Sequence, residues 1–514
     1  MGDGAQVRPI IGEPSRPEPV SQGQPSVQLL PVQQQNVQGL DDQFANDNPV
    51  SGREPPRLST PPAVRLQQVA PQIDRHAPRF QEMVSVARDF YRNLETYPAL
   101  MQQGYTLVYG PLADLAPADQ RERDRSTMWN LHRIHSWRKE AVALFGLLTV
   151  AKTREDQKGV FFIKHAIGYG SLDNQRLETM NEPPRDHRSL ERIRHDFYPF
   201  RKIVEGAAPG SVGVMVAGAV VEALDPSSPA VLSPTVNRFI RQELGSRGED
   251  VVLMTDDVNA PIFWPHILAE CRRDENANIC TTRDYGLNAV DRMAYLLARL
   301  VEGDVDIMLN YATPPTQVMA DLFEAGNRLI QKGVISRAQL EKSVCRILQM
   351  KQTLYPDHPR LQDIQETVRM MSIEELLAQK IIVAGAWPVP NFEGPEFGSN
   401  EDGMMDQRFW PKVWMDNLKK ISGSSPVGGV SLEGTKKLIG PVDQYVQTRL
   451  GEGAIPPFVC ENPPLENGGF DNSGDLKNAQ YRRETDPIRR LTELLDRYYP
   501  DGTPPGLIDA VYDE

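Results

Sequence analysis

Cysteine is scarce in this chain of 514 residues: Cys271, Cys280, Cys345 and Cys460 are all it has. None stands in a C-x-x-C pair, and no cysteine/histidine cluster has zinc spacing. A disulfide scaffold and a structural zinc module are therefore not expected, and a reducing compartment fits. Long apolar runs are also lacking. The longest, Val212 to Val221, falls well short of the ~20 residues a bilayer span takes. The N-terminus, Met1-Gly-Asp-Gly-Ala-Gln-Val-Arg8, has no continuous apolar segment of the secretory kind. These features lead us to expect a soluble, cytoplasmic protein. A basic excess is missing too: the net charge is −13, which argues against nucleic acid as the main partner. No glycine loop of phosphate-cradling pattern follows a strand-like run, so no nucleotide or other cofactor is implied. His132 and His135 lie on a helical pattern without a third ligand and read as surface residues.

Hydrophobic residues supply 40 % of the sequence. A sizeable core is therefore available, and the length suffices for one large barrel of about 250 residues with appendages. Residues 1–60 are rich in Pro, Gln, Ser and Asn and poor in aromatics, the composition of a disordered or loosely docked tail. Residues 471–514 are similarly polar, apart from an amphipathic helical stretch with Ile488, Leu491, Leu494, Leu495 and Tyr498 on one face. Between the tails, short apolar runs alternate with helical patterns, the rhythm of βα units on a parallel sheet. Eight runs read as strands: Thr106–Tyr109, Val160–Lys164, Val212–Val216, Val251–Thr255, Val305–Leu309, Lys380–Ala384, Val427–Ser431 and Pro457–Cys460. Eight parallel strands close a (β/α)8 barrel of the TIM type; an open doubly wound sheet is the alternative. Several runs end in polar residues, namely Asp114, Lys164-His165, Asp256-Asp257 and Glu461. In a barrel such ends converge on one face, whereas the plainer role for each is to cap the helix that follows.

Lys164-His-Ala-Ile-Gly-Tyr-Gly170 resembles the K-H-F-P-G-H-G motif of glycoside hydrolase family 3, in its β-N-acetylglucosaminidase branch. Further segments agree in order and spacing. Gly213-Val-Met-Val-Ala-Gly-Ala219 resembles the A-V-M-x-A-H-V strand, and Ala223-Leu-Asp-Pro226 with Leu232-Ser-Pro234 resemble L-D-P and L-S-P. Gln242-Glu-Leu-Gly245 and Val252-Leu-Met-Thr-Asp-Asp-Val258 are similar to R-x-E-L-G-F-x-G-V-V-x-S-D-D-L. Gly110-Pro-Leu-Ala-Asp114 is similar to A-P-V-L-D, and Arg123-Asp-Arg-Ser126 to G-D-R-S. The stretch from Ile335 to Leu348 matches the helix that closes the family's barrel.

The family's first three strands have no counterpart before residue 106; their likenesses come late in the chain. Ser372 to Gly385 resembles the opening helix and first strand, and Pro426-Val-Gly-Gly-Val430 the V-G-G-V strand. Ile455-Pro-Pro-Phe-Val-Cys-Glu461 with Glu466-Asn-Gly-Gly469 resembles the third strand and its D-Q-E-G-G loop. The resemblance thus implies a circularly permuted barrel, with residues 61–351 as its main part and 352–470 completing it. A second truncated barrel, or a divergent second domain, are the rival readings of 352–470.

By the resemblance, Asp256 is the nucleophile of a retaining glycosidase. Asp114, Arg125, Lys164, His165 and Glu461 match positions that hold sugar hydroxyls, with cationic donors and carboxylate acceptors in the mix such recognition requires. Glu461 stands where the family has the shorter Asp. The family's acid/base D-S-H loop is degenerate here. Asn174, Gln175 and Arg176 occupy its place, and an arginine stays charged and cannot donate the proton. Asp173, Glu178 or Glu182 are candidate replacements. Two histidines of the family's supporting shell are replaced by Tyr169 and Gly218. The resemblance therefore implies an O-glycosyl hydrolase acting on β-linked hexosaminides or glucosides, with carbohydrate as its partner. The alternative is a catalytically impaired descendant that binds sugar or serves as a scaffold.

Overall fold

The structure, a computed structural model, describes residues 90–115 (apart from 91, 92, 95 and 103), 138–169, 182–281 (apart from 274 and 275), 288–311, 315–384, 427–431 and 454–461. Both polar tails, with the helical stretch expected at 488–498, lie outside these residues. Eight strands close into a parallel barrel: β1 (Leu107–Val108), β2 (Val160–Ala166), β3 (Val212–Val216), β4 (Leu253–Asp257), β5 (Ile307–Asn310), β6 (Ile381–Ala384), β7 (Gly429–Ser431) and β8 (Phe458–Glu461). All eight runs read from the sequence are strands of this sheet, with no end displaced by more than two residues. The open doubly wound alternative is excluded, because β1 pairs with both β2 and β8 (Leu107 opposite Val160 and Cys460).

Segment 352–470 belongs to the same sheet. β6 pairs with β5 (Met308 opposite Ile381), β7 with β6 (Val383 opposite Val430), and β8 with β7 (Val459 opposite Val430). A separate truncated barrel and a second domain are therefore both ruled out for the strands of this segment.

Side chains alternate between two cores, as a period of two demands. Val160, Phe162, Met254, Ile307, Leu309, Ile382 and Phe458 point into the barrel. Their neighbours Phe161, Ile163, Leu253, Met308, Ile381, Val383 and Val459 join the larger core under the helices. Burial on both faces explains why the strands read as continuous apolar runs. Gly213 is an interior position without a side chain for a reason: a Cβ there would lie 2.4 Å from the Phe162 ring.

Helices surround the sheet: α1 (Lys139–Asp156), α2 (Leu190–Gly206), α3 (Pro234–Glu243), α4 (Trp264–Cys271), α5 (Ala289–Glu302), α6 (Pro315–Gln331), α7 (Arg337–Leu354) and α8 (Ile373–Gln379). Their starts are written locally. Ser336 with Gln339 and Ser372 with Glu375 form capping boxes on α7 and α8, while Ser189, Ser233 and Asn288 cap α2, α3 and α5. As expected for the stretch ending at Leu348, α7 closes the barrel. Its Ile347, Met350 and Leu354 join the interior cluster.

Two buried polar features mark this closed end. Asp306, fully buried, accepts from Arg346 Nε (2.9 Å), Arg241 Nη2 (2.9 Å), Ser343 Oγ (2.9 Å) and the Leu253 N–H (2.8 Å). Lys380 Nζ donates to the Val305 and Asp306 carbonyls, both at 2.9 Å. Farther along α7, Lys351 is fully buried, donates to Gln379 Oε1 (2.8 Å) and sits 4.9 Å from the Phe458 ring centroid.

Burial pulls the Lys351 ammonium down to about 7. An unfolded lysine keeps its proton to about pH 10. Between those values the folded chain has released a proton that the unfolded chain still holds, so stability rises with pH. Lys351→Met keeps the unbranched stem and removes the titration. We expect the wild-type unfolding midpoint in urea to climb more steeply than the variant's between pH 7 and 9. Parallel curves would show that Lys351 stays charged in the fold.

One expectation is corrected. Cys271 and Cys280 are joined in a disulfide, with Cα atoms 5.4 Å apart. Cys271 ends α4, and a turn held by Asn276 brings Cys280 back: Asn276 Nδ2 donates to the Glu270 carbonyl (2.8 Å), and the Cys280 N–H to the Asn276 carbonyl (3.0 Å). The C-x8-C spacing carries no motif, so the sequence offered no sign of it. The inference of a reducing compartment from cysteine usage loses its support. Among the described residues, no helix is long and apolar enough to cross a membrane.

Candidate active site

The C-terminal ends of the strands share one mouth of the barrel, so residues there come from distant parts of the chain. β4 ends in Asp256 and Asp257, both half-buried. They divide the work. Asp257 Oδ1 accepts from the N–H groups of Asn259 (2.9 Å) and Tyr311 (3.1 Å), and so ties its own turn to the segment after β5. Asp256 Oδ1 accepts from the Asp257 N–H (2.9 Å), and its Oδ2 from the Tyr169 hydroxyl (3.1 Å). Neither caps the next helix: α4 starts at Trp264, and its N-cap position is Phe263, with no side-chain cap. Tyr311 in turn shares a hydrogen bond of 3.2 Å with Ser431, at the end of β7.

The second half of the mouth is built on β2. Lys164 and His165 are buried within this strand, whose register with β3 shifts between Ile163 and Ala166. The segment after β1 runs alongside: the Lys164 N–H donates to the Pro111 carbonyl (3.2 Å), and the Ala113 N–H to the Lys164 carbonyl (2.8 Å). This brings Asp114, also buried, against His165. Asp114 Oδ2 accepts the His165 N–H (3.0 Å) and lies 3.2 Å from its Nδ1. The His165 ring meets the Tyr169 ring edge to face, with centroids 4.9 Å apart.

Tyr169 therefore stands between the two carboxylates. Burial pushes its phenol well above the ordinary value, and the Asp256 charge acts in the same direction. The hydroxyl also accepts from the Gly218 N–H (2.7 Å), just beyond β3. Asp114, Lys164, His165 and Asp256, four of the six expected site residues, thus lie at this mouth. The backbone of Glu461 reaches it as the last residue of β8, opposite Val108. The Glu461 side chain, Arg125 and the loop with Asn174, Gln175 and Arg176 lie outside the described residues; Glu182 is described and exposed. The bond from Tyr169 to Asp256 went unread in the sequence, where Tyr169 marks only a departure from a histidine. No group of three or more His, Cys, Asp or Glu side chains suited to a metal ion occurs among the described residues.

No family model and no curated protein matches the sequence. Solved structures do. M tuberculosis LpqI is similar at 19% identity and TM-score 0.38, over 52% of this chain and 66% of that one. The match thus spans just under two thirds of LpqI. A β-N-acetylhexosaminidase from Beutenbergia cavernae is similar at 19% identity and TM-score 0.39, over 52% of this chain and 70% of that one. A glycosyl hydrolase described as a GH3 family member, from Mycobacterium smegmatis, is similar at 19% identity and TM-score 0.39, over 56% and 78%. Likenesses at this level assign neither substrate nor mechanism.

Proposed function

We propose that this chain is a glycoside hydrolase of the family 3 kind, acting on O-glycosyl bonds of β-linked N-acetylhexosaminides or glucosides with Asp256 as nucleophile. The observation that carries the reading is the half-buried Asp256 carboxylate at the end of β4, linked through Tyr169 to the buried Asp114–His165 pair. Donors on both of its oxygens, the Tyr169 hydroxyl and the Asp257 N–H, hold the carboxylate in one orientation, as a nucleophile requires. It attacks the anomeric carbon, the bond to the leaving oxygen breaks, and that oxygen takes up a proton. Water then cleaves the glycosyl ester, restoring the carboxylate with net retention. Lys164 and Arg125 donate to sugar hydroxyls, His165 holds its place beside them, and Asp114 and Glu461 accept. The proton comes from a carboxyl group in the loop after Gly170, with Asp173, Glu178 and Glu182 as the candidates, because Arg176 cannot release one.

The barrel is, in this reading, a circular permutant. Residues 61–351 supply its main part, 352–470 its family-first strands, and 1–60 and 471–514 are added tails. A closed ring of strands has no first member, so joining the old ends and opening a loop elsewhere leaves every neighbour in place. A second reading rests on Asn174-Gln-Arg176 in place of D-S-H: a catalytically impaired barrel that binds sugar or serves as a scaffold. General acid assistance is worth roughly 10²–10⁴ in rate, so its loss would cripple turnover.

Purified protein incubated with p-nitrophenyl β-N-acetylglucosaminide and the matching β-glucoside decides between them. We expect release of nitrophenol from one of the two, with the β-anomer as first product by proton NMR. No turnover, together with no binding of either sugar, would leave the scaffold reading standing.

A further inference from the structure

The hydroxyl of Tyr169 has two polar contacts that together define its position. It accepts from the Gly218 N–H at 2.7 Å and donates to Asp256 Oδ2 at 3.1 Å. The ring is 3 % exposed and lies edge to face against His165. Gly218 has no side chain at the point where one would interfere. A Cβ there would meet the Tyr169 hydroxyl at 2.6 Å and Phe263 Cζ at 2.7 Å, and Phe263 is itself buried. Tyrosine at 169 and glycine at 218 are thus matched in volume: the hydroxyl fills the space that the missing side chain leaves.

We propose that Tyr169 is a positioning residue for Asp256, with Gly218 as its seat. The phenol O–H fixes one carboxylate oxygen and the Asp257 N–H (2.9 Å) fixes the other, so the rotation of the carboxylate is set from β2 and β4 together. The same phenol bond is strongest when Asp256 is a free carboxylate, so it helps that group depart when the glycosyl ester is cleaved. The phenol is not itself the attacking group, because burial and the neighbouring Asp256 charge both keep its proton on the oxygen. The proposal deepens the reading of Asp256 as nucleophile and rests on it.

Tyr169→Phe and Gly218→Ala test it in the full chain, each checked for folding by circular dichroism. The first deletes the hydroxyl; the second keeps it and pushes it aside. With p-nitrophenyl β-N-acetylglucosaminide, both variants should lose on the order of tenfold or more in kcat with KM unchanged. Carboxyl 13C NMR of aspartate-labelled protein should show the Asp256 resonance, assigned by its absence in Asp256→Asn, displaced in both variants, since both break its bond to the phenol. The double variant should fall no further than the worse single one, since both changes break one contact. A folded Tyr169→Phe protein with an unmoved Asp256 resonance and unchanged kcat would overturn the proposal. If that variant does not fold, Gly218→Ala carries the same test. Should the wild type turn over no sugar, the glycosidase reading falls, and the Asp256 carboxyl resonance still decides whether Tyr169 holds that group.

Discussion

Asp256→Asn should lower kcat on p-nitrophenyl β-N-acetylglucosaminide by on the order of 10³-fold or more, with little change in KM. The amide keeps the shape of the carboxylate and can still accept the Tyr169 hydroxyl. What it loses is the charge that, in the proposed function, attacks the anomeric carbon. Asp257→Asn is the instructive neighbour. Its Oδ1 is committed to the Asn259 and Tyr311 N–H groups, so it serves the turn rather than the reaction. A carbonyl oxygen in its place can accept the same two bonds, and activity should be largely kept. Equal losses at both positions would mean that the β4 turn as a whole matters, and not a particular carboxylate. Turnover unaffected by Asp256→Asn would remove that residue from the chemistry.

The largest effect on stability is expected at the opposite end of the barrel. Asp306→Asn should cost about 3–5 kcal/mol in urea unfolding, because it leaves buried cationic groups without their counter-charge. Arg346 and Arg241 are almost fully buried and both bond to Asp306, and Lys380 is buried against its carbonyl. By contrast, removing an exposed pair such as Arg369–Glu366 should change stability by less than about 1 kcal/mol. Burial alone would raise the Asp306 carboxyl, but the charges of Arg346, Arg241 and Lys380 outweigh it and hold the group below the usual carboxylate range. The unfolded chain protonates this side chain near pH 4 and the folded chain only at lower pH. Its contribution is therefore complete above about pH 4 and is lost as the pH falls through the depressed folded-state value. Asp306→Asn should flatten that acid limb as well as lower the plateau. An unchanged acid limb would place the responsible carboxylate elsewhere, with Asp304 the next to test, since it bonds to Arg346 and Lys342.

The barrel was legible because its determinants are local. Val160–Ile163 and Val251–Met254 are apolar without interruption, as strands buried on both faces must be, and serines or asparagines before α2, α3, α5, α7 and α8 mark where helices begin. Strand ends were less legible. β2 runs on through His165 and Ala166, and β4 through Asp256 and Asp257, because pairing with a neighbour decides where a strand stops. The same holds for the disulfide, since the turn through Asn276 that brings Cys271 and Cys280 together has no spacing signature.

Composition and periodicity by themselves determined that this chain builds eight parallel strands with polar groups at their C-terminal ends, since each strand and each cap is a property of a few consecutive residues. Only the tertiary structure decided which of those groups touch. Tyr169 and Asp256 stand 87 positions apart, and Arg346 and Asp306 40 apart. Whether such side chains meet depends on the register and closure of the sheet between them. A hydrogen bond fails over a displacement of about 1 Å, a precision that no pattern of apolar and polar residues carries.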